Sequence, residues 1–316
     1  MERDEALFTG ESVKDPDQVK TELQSLAKSI NGYVDVQRLF VRYGLERFFY
    51  RLSQTRHKDN FILKGAMIMP IYLGENHRST KDADFSVRGK FNPEQLREIC
   101  IECCQLEADD GLSFDVNGIE ISDAGKDREY PGFDIKIPAL LADSPCHINL
   151  DVSFGDQITP PPYEITYPTL LGDPAPELMV YPPEASIAEK FETIVSKGMS
   201  NTRVKDYFDL SEFAQGLVFR GDLLKHALER TFEFRSTGIP KEIPLALTQE
   251  YYNDKNRQSD WKQFIHNNSL SNGLNLAVCC NLIVEFLMPV ADSITSKSEF
   301  QYAWRKGAWQ AVKPKD

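Results

Sequence analysis

The sequence predicts an α+β protein in two parts, an N-terminal α/β domain over residues 1–172 and a mainly helical domain over residues 173–316. Three observations carry this expectation. Short segments such as LSFDVNGIEIS, YPGFDIKIPALL and CHINLDVSFGD alternate with turn residues, as strands of one sheet with helices on a face do. From Glu184 onward the apolar residues fall at helical spacing instead. Between these regimes lies TPPPYEITYPTLLGDPAPELMVYPP, too proline-rich to be helical. It is expected to run along the surface as a link, with the boundary between about 165 and 184.

Each element has its own signal. Residues 34–54 place Leu39, Val41, Leu45, Phe48, Phe49 and Leu52 on a helix. Phe61 to Leu63 read as a buried strand, Gly65 as a turn, and Ala66 to Leu73 as a short helix despite Pro70. In DADFSV strand alternation puts Ala83, Phe85 and Val87 on one face and Asp82, Asp84 and Ser86 on the other. Asn92 and Pro93 open a helix reaching Leu106. In the second part ASIAEKFETIVSKGM, VKDYFDLSEFAQGL and DLLKHALERTFEFR read as helices, and residues 274–294 as a long buried one.

Bulk properties narrow the function. The net charge of −12 argues against a broad nucleic-acid-binding surface but leaves room for a local basic groove. The six cysteines form no metal set with histidine and no secreted disulfide framework, so reduced thiols in the cytoplasm are expected. The start MERDEALFTGE has no secretory pattern. The most apolar run, LNLAVCCNLIVEFLMPV, is expected to be too short and too interrupted for a membrane span. The five histidines show no ligand spacing, and Ser153 has no hydrolase context.

The chemistry-bearing residues cluster around the acidic strand. A D-x-D alone is most often a wet strand face, but three features accompany this one. LKGA sets Gly65 between strand and helix, where backbone N–H groups meet phosphate. INLDVSFGD offers Asp151 on a strand, a third carboxylate for a hard-oxygen magnesium site. The helical part supplies Lys190 and then NTRVKDYFDL, with Arg203, Lys205, Asp206 and Asp209. Three carboxylates holding divalent cations, with basic groups to clamp a triphosphate, suit displacement at phosphorus. Bland readings stand beside these: Lys190 snorkelling, Asp209 pairing structurally, Arg78 orienting an aspartate through a bidentate bridge, Lys64 covering a strand end.

The run FILKGAMIMPIYLGENHRSTKDADFSV, with Arg78, Thr80, Asp82 and Asp84, resembles the first motif of the AbiEii/AbiGii toxin family of nucleotidyltransferases. INLDVSFGD resembles the strand with the family's third acidic position, and EASIAEKFETIVSKGMSNTRVKDYFDL its later motifs. With a downstream helical region, the resemblance spans roughly residues 35 to 290. It implies a polymerase-β-like nucleotidyltransferase fold and a toxin neutralised by a partner antitoxin. It also implies NMP transfer from an NTP to an RNA acceptor, foremost the tRNA 3′ end, with Mg2+ or Mn2+. Asp82, Asp84 and Asp151 would be metal ligands, Asp151 alternatively a general base. Lys190 would bind triphosphate and Asp206 act at the site's edge, while Lys64, Gly65, Arg78, Thr80, Arg203 and Lys205 would complete the nucleotide site. One departure is Ala66, where relatives carry glycine or serine, so no hydroxyl meets phosphate there. The alternatives are a nucleotidyltransferase acting on a small molecule such as an antibiotic, and a non-catalytic nucleotide-binding regulator.

Overall fold

The structure, a computed structural model, describes residues 14–29, 35–74, 77–78, 80–125, 131–270 and 275–312. Val34, Tyr130, Leu274 and loop residues 75, 76 and 79, all named in the sequence reading, lie outside the described residues. The chain opens with helix α1 (Pro16–Ser29), which the sequence reading missed. Only Val19, Leu23 and Ala27 are buried there, a stripe too thin to announce itself. Helix α2 (Val36–Ser53) starts at Asp35, whose carboxylate caps the Gln37 N–H. Strand β1 (Phe61–Lys64) passes through a 3-10 turn at Gly65–Ile68 into α3 (Met69–Leu73), where Pro70 sits harmlessly in the first turn. Strand β2 (Asp82–Val87) leads to α4 (Pro93–Gln105), closed at its start by a capping box between Asn92 and Gln95.

Strands β3 (Leu112–Phe114), β4 (Glu120–Asp123), β5 (Gly132–Ile137), β6 (Ala139–Leu141), β7 (Ser144–Pro145) and β8 (Ile148–Phe154) follow. Then come β9 (Tyr163–Thr166) and β10 (Glu177–Val180). The main sheet is mixed and seven-stranded, in the order β4-β5-β8-β2-β1-β10-β9. The parallel pairs are β2 with β8 and β1 with β10. The proline-rich stretch therefore departs from its expected role. It is not helical, but it is no mere surface link: β10 lies against β1, with Leu178, Val180 and Tyr181 fully buried. The prolines fall outside the paired residues, which is why the sheet accepts them. This last sheet strand also lies beyond the division expected after residue 172.

Helices α5 (Pro183–Lys197), α6 (Val204–Gly216), α7 (Gly221–Phe234), α8 (Gln249–Tyr252), α9 (Lys255–Asn267) and α10 (Leu276–Thr295) form the second part. Strands β11 (Phe219–Arg220), β12 (Tyr302–Arg305) and β13 (Ala308–Ala311) make a small antiparallel sheet on it, unforeseen because each strand is so short. Helix α10 corrects one expectation. At 20 residues it is long and apolar enough, by length and composition, to cross a membrane, as no other helix among the described residues is. In this fold Leu276, Cys280, Ile283, Phe286 and Leu287 of that helix are buried, and it packs on α6 and α7. Among the described residues all six cysteines are unpaired and five are buried. Burial pushes the partly covered Cys104 thiol up to about 12, so it is a poor nucleophile.

Candidate active site

Strand register assembles one polar face. Lys64 pairs with Asp84, Asp84 with Asp151, Asp151 with Asp134, and Asp134 with Ser122. Neighbouring strands lie about 4.8 Å apart, so this row crosses five strands in roughly 19 Å. A second row runs Asp82, Asn149, Lys136, Glu120. Between the rows, Ala83, Leu150 and Ile135 point into the core, as alternation demands. All these polar residues line a cleft of about 1100 Å³.

The glycine turn fixes the centre of the row. Gly65 has φ +69°, and a Cβ there would lie 1.9 Å from Asp84 Oδ2 and 2.6 Å from Asp84 Cγ. The Asp84 carboxylate thus rests in the space that a side chain would take. Ala66, by contrast, is buried and continues the 3-10 turn, which its side chain tolerates. Thr80 donates its hydroxyl to the Asp82 carbonyl at 3.2 Å, bracing the entry to β2.

Helices α5 and α6 supply the facing wall. Ser186, Glu189, Lys190, Thr193 and Lys197 recur at helical spacing along the cleft side of α5, while Ile187, Phe191 and Ile194 are buried behind. Lys190 Nζ donates to Asp206 Oδ1 and to Asp209 Oδ2, both at 2.8 Å. Arg203 Nε reaches Asp206 Oδ2 at 2.7 Å. Arg78 grips Asp209 with both arms, Nε at 2.6 Å and Nη2 at 2.9 Å. The bidentate bridge foreseen for Arg78 therefore joins the approach to β2 with α6. Asp209 is fully buried and ties both parts together.

The electrostatics follow from these contacts. Burial would raise Asp206 and Asp209, but Lys190 with Arg203, and Arg78 with Lys190, outweigh it and hold both below the usual carboxylate range. Burial would likewise lower Lys190, yet the two aspartates keep it raised. Burial followed by repulsion from Asp84 pushes Asp82 up. Lys205 shifts down through burial and the nearby charges of Arg203 and Lys190. Among the described residues no ion pair holds Lys205, which lies close enough to Asp84 to feel its charge. Lys64 donates to Asp156 at 2.7 Å, and with Glu189 that carboxylate offsets the effect of burial and keeps the lysine charged.

The cleft collects Lys64, Gly65, Arg78, Thr80, Asp82, Asp84, Asp151, Lys190, Arg203, Lys205 and Asp206, whereas Asp209, also singled out from sequence, is buried behind Arg78 and Lys190 and is not among the lining residues. Asp134, Lys136, Glu189 and the Glu192–Arg235 pair also line it and were missed. Asp134 could have been found only by knowing that YPGFDIKI pairs antiparallel with INLDVSF, since both show an acid inside an apolar strand. Although the chain carries −12, the described residues lining the cleft include as many basic as acidic side chains. Its excess negative charge lies elsewhere, and the cleft is open to an anionic substrate.

The fit to divalent cations rests on donor chemistry. Asp82, Asp84 and Asp151 are hard-oxygen donors on adjoining strands, and the Asp82–Asp84 repulsion is of the kind a cation relieves. As placed, no three His, Cys, Asp or Glu side chains among the described residues already converge on one ion.

A mixed sheet with acidic residues at its centre, faced by lysines and arginines of a following helical part, is the arrangement of a nucleotidyltransferase. A family model described as the nucleotidyl transferase AbiEii toxin of type IV toxin–antitoxin systems matches residues 47–273. The chain belongs to this family and is a nucleotidyltransferase. Among solved structures, a Helicobacter pylori chain described as a candidate nucleotidyltransferase aligns with TM-score 0.51 and 16% identity, over 84% of this chain and 100% of that one. JHP933 from Helicobacter pylori aligns with TM-score 0.48 and 17% identity over the same shares. The first of these likenesses is one of fold. No curated protein sequence matches the chain.

Proposed function

We propose that this nucleotidyltransferase transfers an NMP from an NTP to an RNA acceptor, foremost the 3′ end of tRNA. On this reading it is the toxin of a cytoplasmic toxin–antitoxin or abortive-infection pair, held in check by a cognate antitoxin. The supporting observation is that Asp82, Asp84 and Asp151 share one cleft with Lys190, Arg203 and Lys205. Asp82, Asp84 and Asp151 would hold Mg2+ or Mn2+, which supplies Lewis-acid polarisation and charge neutralisation at phosphorus.

The chain's own groups account for the rest. Arg203, half exposed, can swing from Asp206 to a triphosphate oxygen, and Lys205 lies ready beside it. Lys190 stays charged between its two aspartates and adds attraction without leaving them. The acceptor hydroxyl attacks the α-phosphorus, a new P–O bond forms, and the bond to the bridging oxygen breaks as pyrophosphate departs. Asp151, in its alternative role as general base rather than metal ligand, takes the hydroxyl proton.

Incubation with labelled NTPs, Mg2+ and total RNA tests this directly. Label should enter RNA and vanish with Asp82→Ala plus Asp84→Ala. Label that appears only on small amines or antibiotics would move the acceptor to that class. Growth arrest that survives the double substitution would instead support a non-catalytic regulator.

A further inference from the structure

The cleft has two unlike sides. Of its lining cations, Lys64, Arg78, Lys190, Arg203 and Lys205 stand on β1, on the approach to β2, or on the helical wall. Beyond Asp151 the face continues onto β5 and β4, where Asp134, Ser122, Lys136 and Glu120 point into the same cleft. Lys136 is the one basic residue of the described cleft lining on that side. A triphosphate settles where the cations crowd. Displacement at phosphorus runs in line, so the attacking hydroxyl comes from the side opposite pyrophosphate. That side is the β8–β5–β4 face.

We infer that the cleft face of the β4–β5 hairpin is the acceptor subsite, where Lys136 takes a phosphodiester near a single-stranded RNA 3′ end. The inference rests on the transfer reading above for its in-line geometry. Asp134 stands directly across from Asp151, and directly opposed residues sit about 5 Å apart, so the hydroxyl activated by Asp151 meets Asp134 as well. Lys136 lies two residues along β5, exposed, about 7 Å further out. That spacing suits a phosphate one link back from a terminal hydroxyl. Glu120, across from Lys136, and Asp134 beside it repel further backbone charge. The subsite therefore accepts a chain end and rejects a duplex laid along the hairpin.

The test uses the full-length protein and two binding measurements. One is anisotropy of a labelled single-stranded RNA with a free 3′ hydroxyl; the other is equilibrium dialysis of labelled NTP with Mg2+ and no RNA. Lys136→Glu should weaken RNA binding at least tenfold and leave NTP binding unchanged. Lys136→Arg should stay within about twofold of wild type. Glu120→Gln should tighten RNA binding, which a merely structural role would not produce. Lys136→Gln should lower the slope of log affinity against log salt by about 0.7, one phosphate's share for a single strand. Equal RNA affinity in Lys136→Glu, or parallel loss of RNA and NTP binding, would overturn the inference. A protein that binds RNA through Lys136 yet labels none keeps the subsite and loses the transfer reading; RNA labelled equally well by Lys136→Glu does the reverse.

Discussion

Gly65 and Asp209 are the two positions where a single atom decides most. Any side chain at 65 must share space with the Asp84 carboxylate while adopting φ +69°. Gly65→Ala should therefore push Asp84 out of its row and lower transfer by 10²-fold or more. Single-turnover kinetics beside NTP dialysis would check this, and a Gly65→Ala enzyme of normal rate would show that Asp84's placement is not critical. Asp209 illustrates a different dependence. Its carboxylate neutralises the buried Arg78 and the largely covered Lys190. Asp209→Asn leaves two cations sharing the neutral amide and Asp206. The expected loss is about 3–5 kcal/mol in urea unfolding, larger than that of any exposed ion pair here. Asp206 and Asp209 are held below their usual range, so their stabilisation is full above about pH 4 and disappears as pH falls through their lowered values.

Helix α2 shows what an element's sequence reveals and what it hides. Its apolar residues foretold the helix, and all but Val41 of those singled out are buried. Its buried Glu46, Arg47 and Arg51 were not foretold, because their partners lie far along the chain. Arg51 and Arg47 meet Asp110, Arg47 also donates to the Pro174 carbonyl at 2.8 Å, and Glu46 accepts the Leu170 N–H at 2.8 Å. Periodicity reports which face is covered, not by what. Glu46 pays for that cover: burial, against the opposing Leu170 N–H and Arg47, raises its carboxyl to about 7 from the usual 4.5. The folded protein then holds a proton that the unfolded chain has released. Stability from this group is full below about pH 4.5 and is lost as pH rises to about 7, by up to about 3 kcal/mol. Glu46→Gln should flatten the stability profile across that window and exceed wild type above pH 7. Urea midpoints at pH 5 and 8 would decide, and an unchanged difference between them would assign the dependence to other groups.

At the scale of the molecule, the grouping of the candidate site's residues in one cleft was legible because they lie on short motifs with strict local geometry. Asp82 and Asp84 needed only strand alternation, and Gly65 only a strand-to-helix turn. The missed members, Asp134 and Arg235 among them, depend on which strands pair and where α7 ends, and neither follows from local pattern. The same long-range contacts bear on how the chain unfolds. Buried apolar residues form one cluster from Val19 to Trp304, with no break where sheet gives way to helices. Arg78–Asp209 adds a buried ionic tie between the parts. Two parts sharing a core and a buried charge pair should melt as one cooperative unit. The chain offers a convenient probe, since Trp261, Trp304 and Trp309 are its three tryptophans and all lie in the helical part. Tryptophan fluorescence therefore follows that part alone, whereas hydrogen exchange of the Ile62, Leu63 and Val152 amides follows the sheet. In increasing urea the fluorescence midpoint should coincide with the loss of protection at those strands. In Asp209→Asn both should shift together. Separate midpoints, or a shift confined to fluorescence, would mean that the sheet stands without the helices and that the cleft joins two independently stable domains.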